Sequence, residues 1–319
     1  MNTNSISTID KRLAHKWSVG EVLLTGFSAT ADGGMRVTAY VPQSHLFYND
    51  QLEQRTGPDF AVIVEMCRQA CFLVAHELLG VPQDKQFLLR SITAAFTRNR
   101  THAIGNEVEL QVAVSNKRFR GADLSGLAWD FSIFDEKGMF ATASFDQVWV
   151  DREPWRRTRH QMRLSRGLPG ASPFSTERLV PPTDPASVGR SVAQNVVIGT
   201  PSSEGSRWSA VASLTTDHPT LFDHPIDHVY GMVQLEIARQ LSLCALSSTF
   251  ALAPSDFALI ATRSRYLTTG ELDLPLRVVA ELSDEPGAAG DPQTAIDLEF
   301  WQEGRHVSSF TQHYLVSSR

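Results

Sequence analysis

Two apolar segments, one in each half of the chain, carry the same set of polar residues. The first runs from Phe60 to Leu79 and contains EMCRQACFLVAH, and the second contains LEIARQLSLCAL. Each has the spacing Glu-x-x-Arg-Gln, which places the three side chains on one face of an α-helix. Both segments are long enough for a helix, and Gly80 and Pro82 end the first one. A chain that repeats so specific a helix is expected to repeat the rest of its fold.

The predicted elements around the two helices occur in the same order. Two strands precede the first helix and four alternating strands follow it, and NVVIG and RWSAVASL then begin the second copy. His45 aligns with His218, and Gly138 of one hairpin aligns with Gly304 of another. Matches in a fixed order at nearly constant spacing indicate an internal duplication. One long helix against a mostly antiparallel sheet is an α+β architecture.

A curved antiparallel sheet wrapped around one long central helix is the hot-dog fold, so the sequence predicts a tandem (double) hot-dog with its two sheets joined edge to edge. We place the N-terminal hot-dog domain at residues 1–151 and the C-terminal one at residues 191–319. The segment 152–190 is rich in proline and begins with REPWRRTRHQMRLSR, which contains six arginines. This composition predicts a linker that wraps over a surface. Its arginines are either simply solvated or form a basic surface for an acidic partner.

Composition excludes several classes of function. The net charge is −6, which does not favour nucleic-acid binding. The three cysteines lie in apolar helical segments and are expected to be buried, reduced thiols. The N-terminus lacks the apolar stretch of a signal peptide, and no run of 18 residues is free of charge, so we expect a cytoplasmic protein with no membrane span.

The polar faces of the two predicted helices are the first candidate sites. In the first helix this face contains Glu65, Arg68, Gln69, Phe72 and His76. In the second helix it contains Glu236, Arg239, Gln240, Leu243 and Ser247. Burying an unpaired carboxylate costs several kcal/mol, on the order of the strongest single interactions in a protein. The two Glu–Arg pairs are therefore either structural pairs inherited from one ancestor or the polar centre of a site.

The segment before the second helix, HPTLFDHPIDHVYGMVQLEIARQ, favours a site. It places five polar residues upstream of Gly231, namely His218, Asp223, His224, Asp227 and His228. A glycine at a helix start allows close approach, and the free N–H groups there can stabilise an oxyanion. A histidine or a glutamate nearby can act as a base, which suits acyl-thioester chemistry. Turn and cap chemistry explains the aspartates equally well, but it does not explain three histidines together.

This segment resembles the signature of hot-dog β-hydroxyacyl-ACP dehydratases. Gly231 and Glu236 fall where that pattern has its glycine and its glutamate. The chain departs from the pattern at Phe222, which stands at the position of the dehydratase histidine, and at Tyr230, which replaces its proline. These departures disfavour simple dehydration.

Nearly the whole chain, apart from residues 152–190, resembles the AfsA-type A-factor biosynthesis family. The resemblance rests on HKWSVGEVLLT, SHLFYND, EMCRQACFLVAHELLGVP, DHPTLFDHPIDHVYGMVQLEIARQ and RSRYLTTGELDLPLRV. It implies an acyltransferase that joins a β-ketoacyl group, carried on acyl carrier protein or coenzyme A, to the hydroxyl of dihydroxyacetone phosphate. It further implies a place in the synthesis of a γ-butyrolactone- or furan-type autoregulator in actinobacteria.

The candidate residues can be assigned to the parts of this reaction. The catalytic candidates are Glu65, Glu236, His218 and His224. The substrate-binding candidates are Arg68, Gln69, Arg239, Gln240, Gly231, Asp223, His228, His45 and Arg265. Arginine suits bidentate phosphate contact, so Arg68, Arg239 or Arg265 is expected to hold the phosphate. The sequence does not decide which half holds the working site, and no cofactor motif or metal cluster appears in it.

Two other functions are compatible with the same residues. One is a dehydratase or thioesterase of the hot-dog fold, which acts on an acyl thioester without dihydroxyacetone phosphate. The other is a non-catalytic acyl-binding regulatory protein, in which the polar faces only pair internally. Because acyl carrier proteins are strongly acidic, the resemblance also makes them the expected partner of the arginine-rich segment.

Overall fold

The computed structural model describes residues 7–31, 34–51, 58–98, 106–172, 175–283 and 293–316. Alternation of apolar and polar residues produces long strands, as in Met35–Tyr40, where every second side chain is buried. The strands of the first half are β1 (Leu24–Ala29), β2 (Met35–Tyr40), β3 (Lys85–Phe96), β4 (Glu107–Arg120), β5 (Asp123–Asp135) and β6 (Gly138–Asp151). Those of the second half are β7 (Ser202–Glu204), β8 (Arg207–Val211), β9 (Phe257–Tyr266), β10 (Arg277–Leu282), β11 (Gln293–Gln302) and β12 (Arg305–Val316).

These strands form a single antiparallel sheet. Its order is β1-β2-β4-β5-β6-β3-β9-β12-β11-β10-β8-β7, so each half of the chain contributes six neighbouring strands. The two halves join where β3 pairs with β9, from Ser91 opposite Arg265 to Ala95 opposite Ala261. The predicted edge-to-edge junction therefore lies at these two strands. The large antiparallel sheet with few helices agrees with the predicted α+β class.

Each half contains one long buried helix. Helix α1 spans Phe60–Glu77, and the Asp59 carboxylate caps it by accepting a hydrogen bond from Ala61 N at 2.8 Å. Gly80 follows it with φ of +64°, a conformation that favours glycine. Helix α3 spans Gly231–Phe250 and ends at Ala251, which is itself left-handed. Within the described residues, no helix is long and apolar enough to cross a bilayer.

Part of the segment 152–190 differs from the predicted linker. Residues Arg152–Leu164 form a helix, α2, between β6 and the proline-rich remainder. Its buried side consists of Arg159 and Arg163, which pair with Glu271 at 2.8 and 2.5 Å. These two arginines are therefore not part of a solvated basic surface. The arginines that stay exposed on α2 are Arg152, Arg156 and Arg157.

The segment NVVIG also differs from its prediction, because it makes only one isolated β-bridge, from Ile198 to Ala212. It is nevertheless fully buried, and its backbone groups bond to the end of β8, where Gly199 N donates to Val211 O at 2.8 Å, and to a side chain of α3. Val197 N donates to the Gln240 side chain at 2.9 Å, and Val197 O accepts from Ser213 N at 2.8 Å. The sequence predicted a strand here, and the structure has a single bridge in its place.

Candidate active site

The carboxylate of Glu65 on α1 is fully paired. Arg68 donates to both of its oxygens at 2.7 Å, and Gln69 Nε2 donates to Oε1 at 2.9 Å. Lys16, from the segment before β1, places its Nζ 3.1 Å from Oε1. Burial disfavours the charged carboxylate, but Arg68 and Lys16 outweigh it, so the pKa of Glu65 lies well below its ordinary value. Glu65 is therefore an anion that fixes two cations rather than a group poised to accept a proton.

Glu236 on α3 has the equivalent surroundings. Arg239 Nη2 lies 2.7 Å from Oε2, and Gln240 Nε2 donates to Oε1 at 2.6 Å. The third partner is Arg190, whose Nη2 lies 2.9 Å from Oε1. Here too burial alone would raise the pKa, and the charges of Arg190 and Arg239 more than reverse that, so the pKa of Glu236 is lowered. Arg190 thus takes the place that Lys16 has in the first half.

The two glutamines hold equivalent backbone segments. Gln69 donates to Glu21 O at 2.8 Å and accepts from Leu23 N at 3.0 Å. Gln240 does the same with Asn195 O at 2.8 Å and Val197 N at 2.9 Å. Neither glutamine lines the cleft described below. We therefore interpret both as structural residues that secure the chain segment carrying the extra cation, rather than as substrate ligands.

His45 and His218 also have matching structural contacts. In each, Nδ1 accepts backbone N–H groups two and three residues ahead, at 3.2 and 3.4 Å for His45 and at 3.2 and 3.0 Å for His218. In each, Nε2 bonds to the side chain of Glu21 or Asn195, at 3.3 and 3.1 Å. Burial, and then the charge of Arg190, lowers the pKa of His218 to about 4. Both ring nitrogens are committed, and neither side chain lines the cleft, so we interpret both histidines as structural residues of turns.

The clusters around Glu65 and Glu236 are similar in their contacts, but they differ in their access to a large cleft. It has a volume of about 2060 Å³ and lies where α1, the loop before α3, helix α2 and the β3–β9 junction meet. Lys16 and Arg68 line it, whereas Glu236, Arg190 and Arg239 do not. At the equivalent place in the second half, Arg239 Nη1 lies 3.2 Å from the Asp59 carboxylate at the start of α1. The small pocket beside Arg239 has a volume of only about 10 Å³. The open site therefore combines the first-half helix with the second-half loop.

The loop before α3 is held against the N-terminal segment by Asp223. Its carboxylate accepts hydrogen bonds from Trp17 N at 2.7 Å and Ser18 N at 2.9 Å, directly beside Lys16. His224 Nδ1 lies 3.5 Å from the same carboxylate, a long distance for a hydrogen bond. This loop therefore carries His224 to the N-terminal segment that contains Lys16.

The surroundings of His15 and Tyr230 show which parts of the chain meet beside α1. Burial, followed by the charges of His76, Arg68 and His224, lowers the pKa of His15 to about 3. His15 stacks on Phe72, with ring centroids 4.1 Å apart, and its Nε2 lies 2.8 Å from that of His76. Burial also raises the pKa of Tyr230, at the start of α3, against the opposing charge of Arg68. The polar face of α1 thus faces the N-terminus of α3.

Gly231 is the first residue of α3 and lines the cleft. A Cβ at this position would lie 2.6 Å from Leu89 Cδ2 and 2.9 Å from Tyr266 Oη. A larger residue here would therefore force the side chains of β3 and β9 to shift, so close packing against these strands favours glycine, a reason that differs from the close ligand approach expected from the sequence. The first N–H groups of a helix lack intrahelical acceptors, so the start of α3 presents donors at the cleft.

Two further candidates line the cleft farther along. His228 Nδ1 lies 2.7 Å from the Asp227 carboxylate, which also pairs with Arg159 at 3.1 Å. Arg265 on β9 is exposed at the β3–β9 junction. Among the described residues, no group of three or more His, Cys, Asp or Glu side chains is placed to hold a metal ion.

Sequence reasoning missed Lys16, Arg190 and Asp59. The signal for the first two was present, because KWSVGEVL and RSVAQNVV occupy equivalent places before the two copies and both begin with a basic residue. The apolar matches in these segments are short, and they do not show that the side chain of Lys16 or of Arg190 reaches a carboxylate on a helix. The role of Asp59 depends on contact between the two halves.

Comparison with known proteins identifies the family. The family model of the A-factor biosynthesis hotdog domain, AfsA, matches residues 1–151 and 173–317. The chain belongs to the AfsA family. Its resemblance to that family, stated above from its motifs, is confirmed.

Curated relatives and solved structures extend the comparison. AfsA-family relatives named 2-oxo-3-(phosphooxy)propyl 3-oxoalkanoate synthase are 32% identical over 281 residues in Streptomyces virginiae and 28% identical over 279 residues in Streptomyces coelicolor. The alignments cover 86% of this chain in both cases, and 87% and 82% of the relatives. Among solved structures, a putative oleoyl thioesterase from Lactobacillus plantarum has a TM-score of 0.52 at 12% identity, covering 92% of this chain and 99% of that one. The 12:0-ACP thioesterase from Umbellularia californica has a TM-score of 0.50 at 12% identity, covering 91% and 100%. These two structures are similar in fold.

Proposed function

We propose that this chain is an acyltransferase that joins a β-ketoacyl group from an acyl thioester to the hydroxyl of dihydroxyacetone phosphate. The relatives' printed name describes the phosphorylated ester that this reaction forms. The observation that carries the proposal is the open cleft, in which a buried cation pair lies opposite a helix N-terminus. The product is suited to conversion into a γ-butyrolactone- or furan-type autoregulator.

The cation pair suits the phosphate of the acceptor. Lys16 and Arg68 both line the cleft and are both held by Glu65, so their positive charges are fixed before substrate binds. Arginine offers a planar pair of donors and lysine a compact charge, a combination that recognises phosphate oxygens. In this proposal Glu65 is a positioning residue, and Arg239 is excluded because its guanidinium pairs with Asp59 and Glu236 outside the cleft.

The remaining parts of the reaction have candidates in the same cleft. The N–H groups at the start of α3 are suited to the oxyanion that forms when the hydroxyl attacks the thioester carbonyl. Phe72, Phe87 and Leu89 supply apolar lining for the acyl chain. We also propose that each half is a hot-dog unit wrapped around its helix, with the first unit at residues 1–151 and the second at residues 191–319.

The outer wall of the cleft suits an acidic carrier protein. Arg152, Arg156 and Arg157 are exposed on α2 and line the cleft, with Trp155 between them. We expect the double substitution Arg156→Ser, Arg157→Ser to slow reaction with an acyl carrier protein substrate by several-fold. Reaction with the coenzyme A thioester should change little, and raising the salt concentration should reduce the defect because screening already weakens the parent. Equal slowing of the reactions with both thioesters would show that α2 is not a docking surface.

The direct test is whether thiol release depends on the acceptor. A β-ketoacyl thioester is incubated with the protein, with and without dihydroxyacetone phosphate, and free thiol is followed in time. Acyl transfer predicts release that needs the acceptor and saturates with it. Release at the same rate without the acceptor would identify a thioesterase, and no release in either case would favour a non-catalytic acyl-binding protein.

A further inference from the structure

The ring of His228 is oriented by its neighbour Asp227. Its Nδ1 lies 2.7 Å from a carboxylate oxygen of Asp227, and a carboxylate only accepts hydrogen bonds. In the neutral ring Nδ1 therefore carries the hydrogen and Nε2 keeps its lone pair. The side chain lines the cleft three residues before α3 begins, and 17% of it is exposed. A base of this kind is both oriented and accessible.

Asp227 is in turn held by helix α2. Arg159 Nε lies 3.1 Å from the second carboxylate oxygen, and Arg159 Nη2 donates to Asp227 O at 3.1 Å. The same guanidinium makes two bonds of 2.8 Å to the buried carboxylate of Glu271. Arg159, Asp227 and His228 thus form a chain of contacts that runs from α2 to the cleft.

Other histidines at the cleft have weaker claims to this role. The Asp223 carboxylate is 3.5 Å from His224 Nδ1 and is already occupied by two backbone N–H groups. His15 contacts His76 through Nε2, and burial lowers the pKa of His15 to about 3. Glu65 is saturated by its cations. His228 has the shortest carboxylate contact among the histidines that line the cleft in the described parts of the chain.

We propose that His228 is the general base of the acyl transfer, with Asp227 and Arg159 as positioning residues; this rests on the proposed function. Nε2 takes the proton of the acceptor hydroxyl as that oxygen bonds to the thioester carbonyl carbon. The carbonyl becomes an oxyanion beside the start of α3. When the oxyanion collapses, the carbon–sulfur bond breaks, and the thiolate receives the proton from the imidazolium. The products are the ester and the free thiol, and His228 is neutral again.

The first experiment measures ester formation by the full chain with His228→Ala. We expect kcat to fall by about 10²- to 10⁴-fold while the KM for the thioester changes little. Added imidazole should restore part of the lost rate, which a merely structural histidine would not allow. His306→Ala, at the second residue of β12 and outside the cleft lining, is the control that should retain parental activity.

The result that overturns the inference is a His228→Ala enzyme that forms ester within tenfold of the parental rate, or a lost rate that imidazole does not restore. A His224→Ala enzyme that is inactive and rescued by imidazole, beside an active His228→Ala enzyme, would transfer the role to His224. Ester formation by the parent protein is measured before any variant, and a parent that forms no ester would refute the proposed function itself.

The second experiment separates positioning from stability on α2. Arg159→Met removes the contact with Asp227, whereas Arg163→Met removes contacts with the same Glu271 and with Asp273 but none with Asp227. Both variants should melt at lower temperature than the parent. Arg159→Met and Asp227→Asn should lower kcat for ester formation with little change in the KM for the thioester, because His228 loses the fixed carboxylate that orients it. Arg163→Met should leave kcat near the parental value, and Arg159→Lys should partly restore the rate that Arg159→Met loses. Equal kcat values for Arg159→Met and Arg163→Met would overturn the positioning role.

Discussion

Replacing Glu236 by glutamine tests whether the second-half cluster is structural. The change keeps the side-chain size and removes a charge that is bonded to Arg190 at 2.9 Å and to Arg239 at 2.7 Å. Asp59 still pairs with Arg239 at 3.2 Å, whereas Arg190 loses the carboxylate to which it is bonded. Breaking a buried ion pair by removing one partner costs about 3–5 kcal/mol. At roughly 2 °C per kcal/mol for a chain of this size, we expect the melting temperature to fall by about 6–10 °C.

Glu65→Gln is the matched control in the open cluster. Its cations line the cleft and can regain water, so the loss of stability should be smaller than for Glu236→Gln. Its loss of turnover should be larger, because Lys16 and Arg68 lose the anion that positions them. Calorimetry measures the first quantity, and thioester turnover per folded protein, well below the melting temperature, measures the second.

The opposite pattern would refute this reasoning. If Glu236→Gln abolished turnover and left the melting temperature unchanged, the helix of the second half would take part in the chemistry. The assignment of the working site to the cleft beside α1 would then be wrong.

Three further predictions follow from individual contacts. Arg68→Met should raise the KM for dihydroxyacetone phosphate by about tenfold or more, since a hydrogen bond to a charged group contributes about 1.5–3 kcal/mol, and an equal rise in the KM for the thioester would contradict a phosphate role. Gly231→Ala should lower the free energy of unfolding by about 1–3 kcal/mol, because its Cβ would lie 2.6 Å from Leu89 Cδ2, and unchanged urea unfolding would contradict this packing. The lowered pKa values of His15 and His218, about 3 and about 4, mean that the unfolded chain binds these protons first as pH falls below 6.5. The free energy of unfolding that these two histidines contribute should be complete above pH 6.5 and should fall by roughly 1.4 kcal/mol per pH unit for each group between pH 6.5 and 4. Urea unfolding that is equal at pH 7 and pH 5 would contradict their burial as neutral rings.

The fold was more predictable from sequence than the site. Helices α1 and α3 follow from long apolar segments with clear ends, and the strands after them follow from alternation, because both periodicities report burial directly. Helix α2 was missed because its buried side is Arg159 and Arg163 rather than apolar residues. Its stability comes from carboxylates more than a hundred residues away, to which local pattern is insensitive.

The site was predictable in its residue types but only partly in its assembly. The Glu-x-x-Arg-Gln face was expected to be polar and paired within the helix, and the structure has those pairs in both halves. The two Glu–Arg pairs differ because Asp59 of the first half contacts Arg239 of the second half. This contact depends on tertiary packing between the two copies, which local sequence does not show. Two helices with the same Glu-x-x-Arg-Gln face therefore leave the choice of half open in the sequence, whereas among the described residues Arg68 lines the large cleft and Arg239 does not.

The mass of the product tests the central claim most directly. The protein is incubated with a β-ketoacyl thioester and dihydroxyacetone phosphate, and the products are identified by mass spectrometry alongside those of the Arg68→Met variant. Acyl transfer in the cleft predicts the phosphorylated ester as the main product of the parent, with its yield strongly reduced in the variant at limiting dihydroxyacetone phosphate. Free β-keto acid as the main product of the parent, at the same yield with and without dihydroxyacetone phosphate, would contradict it.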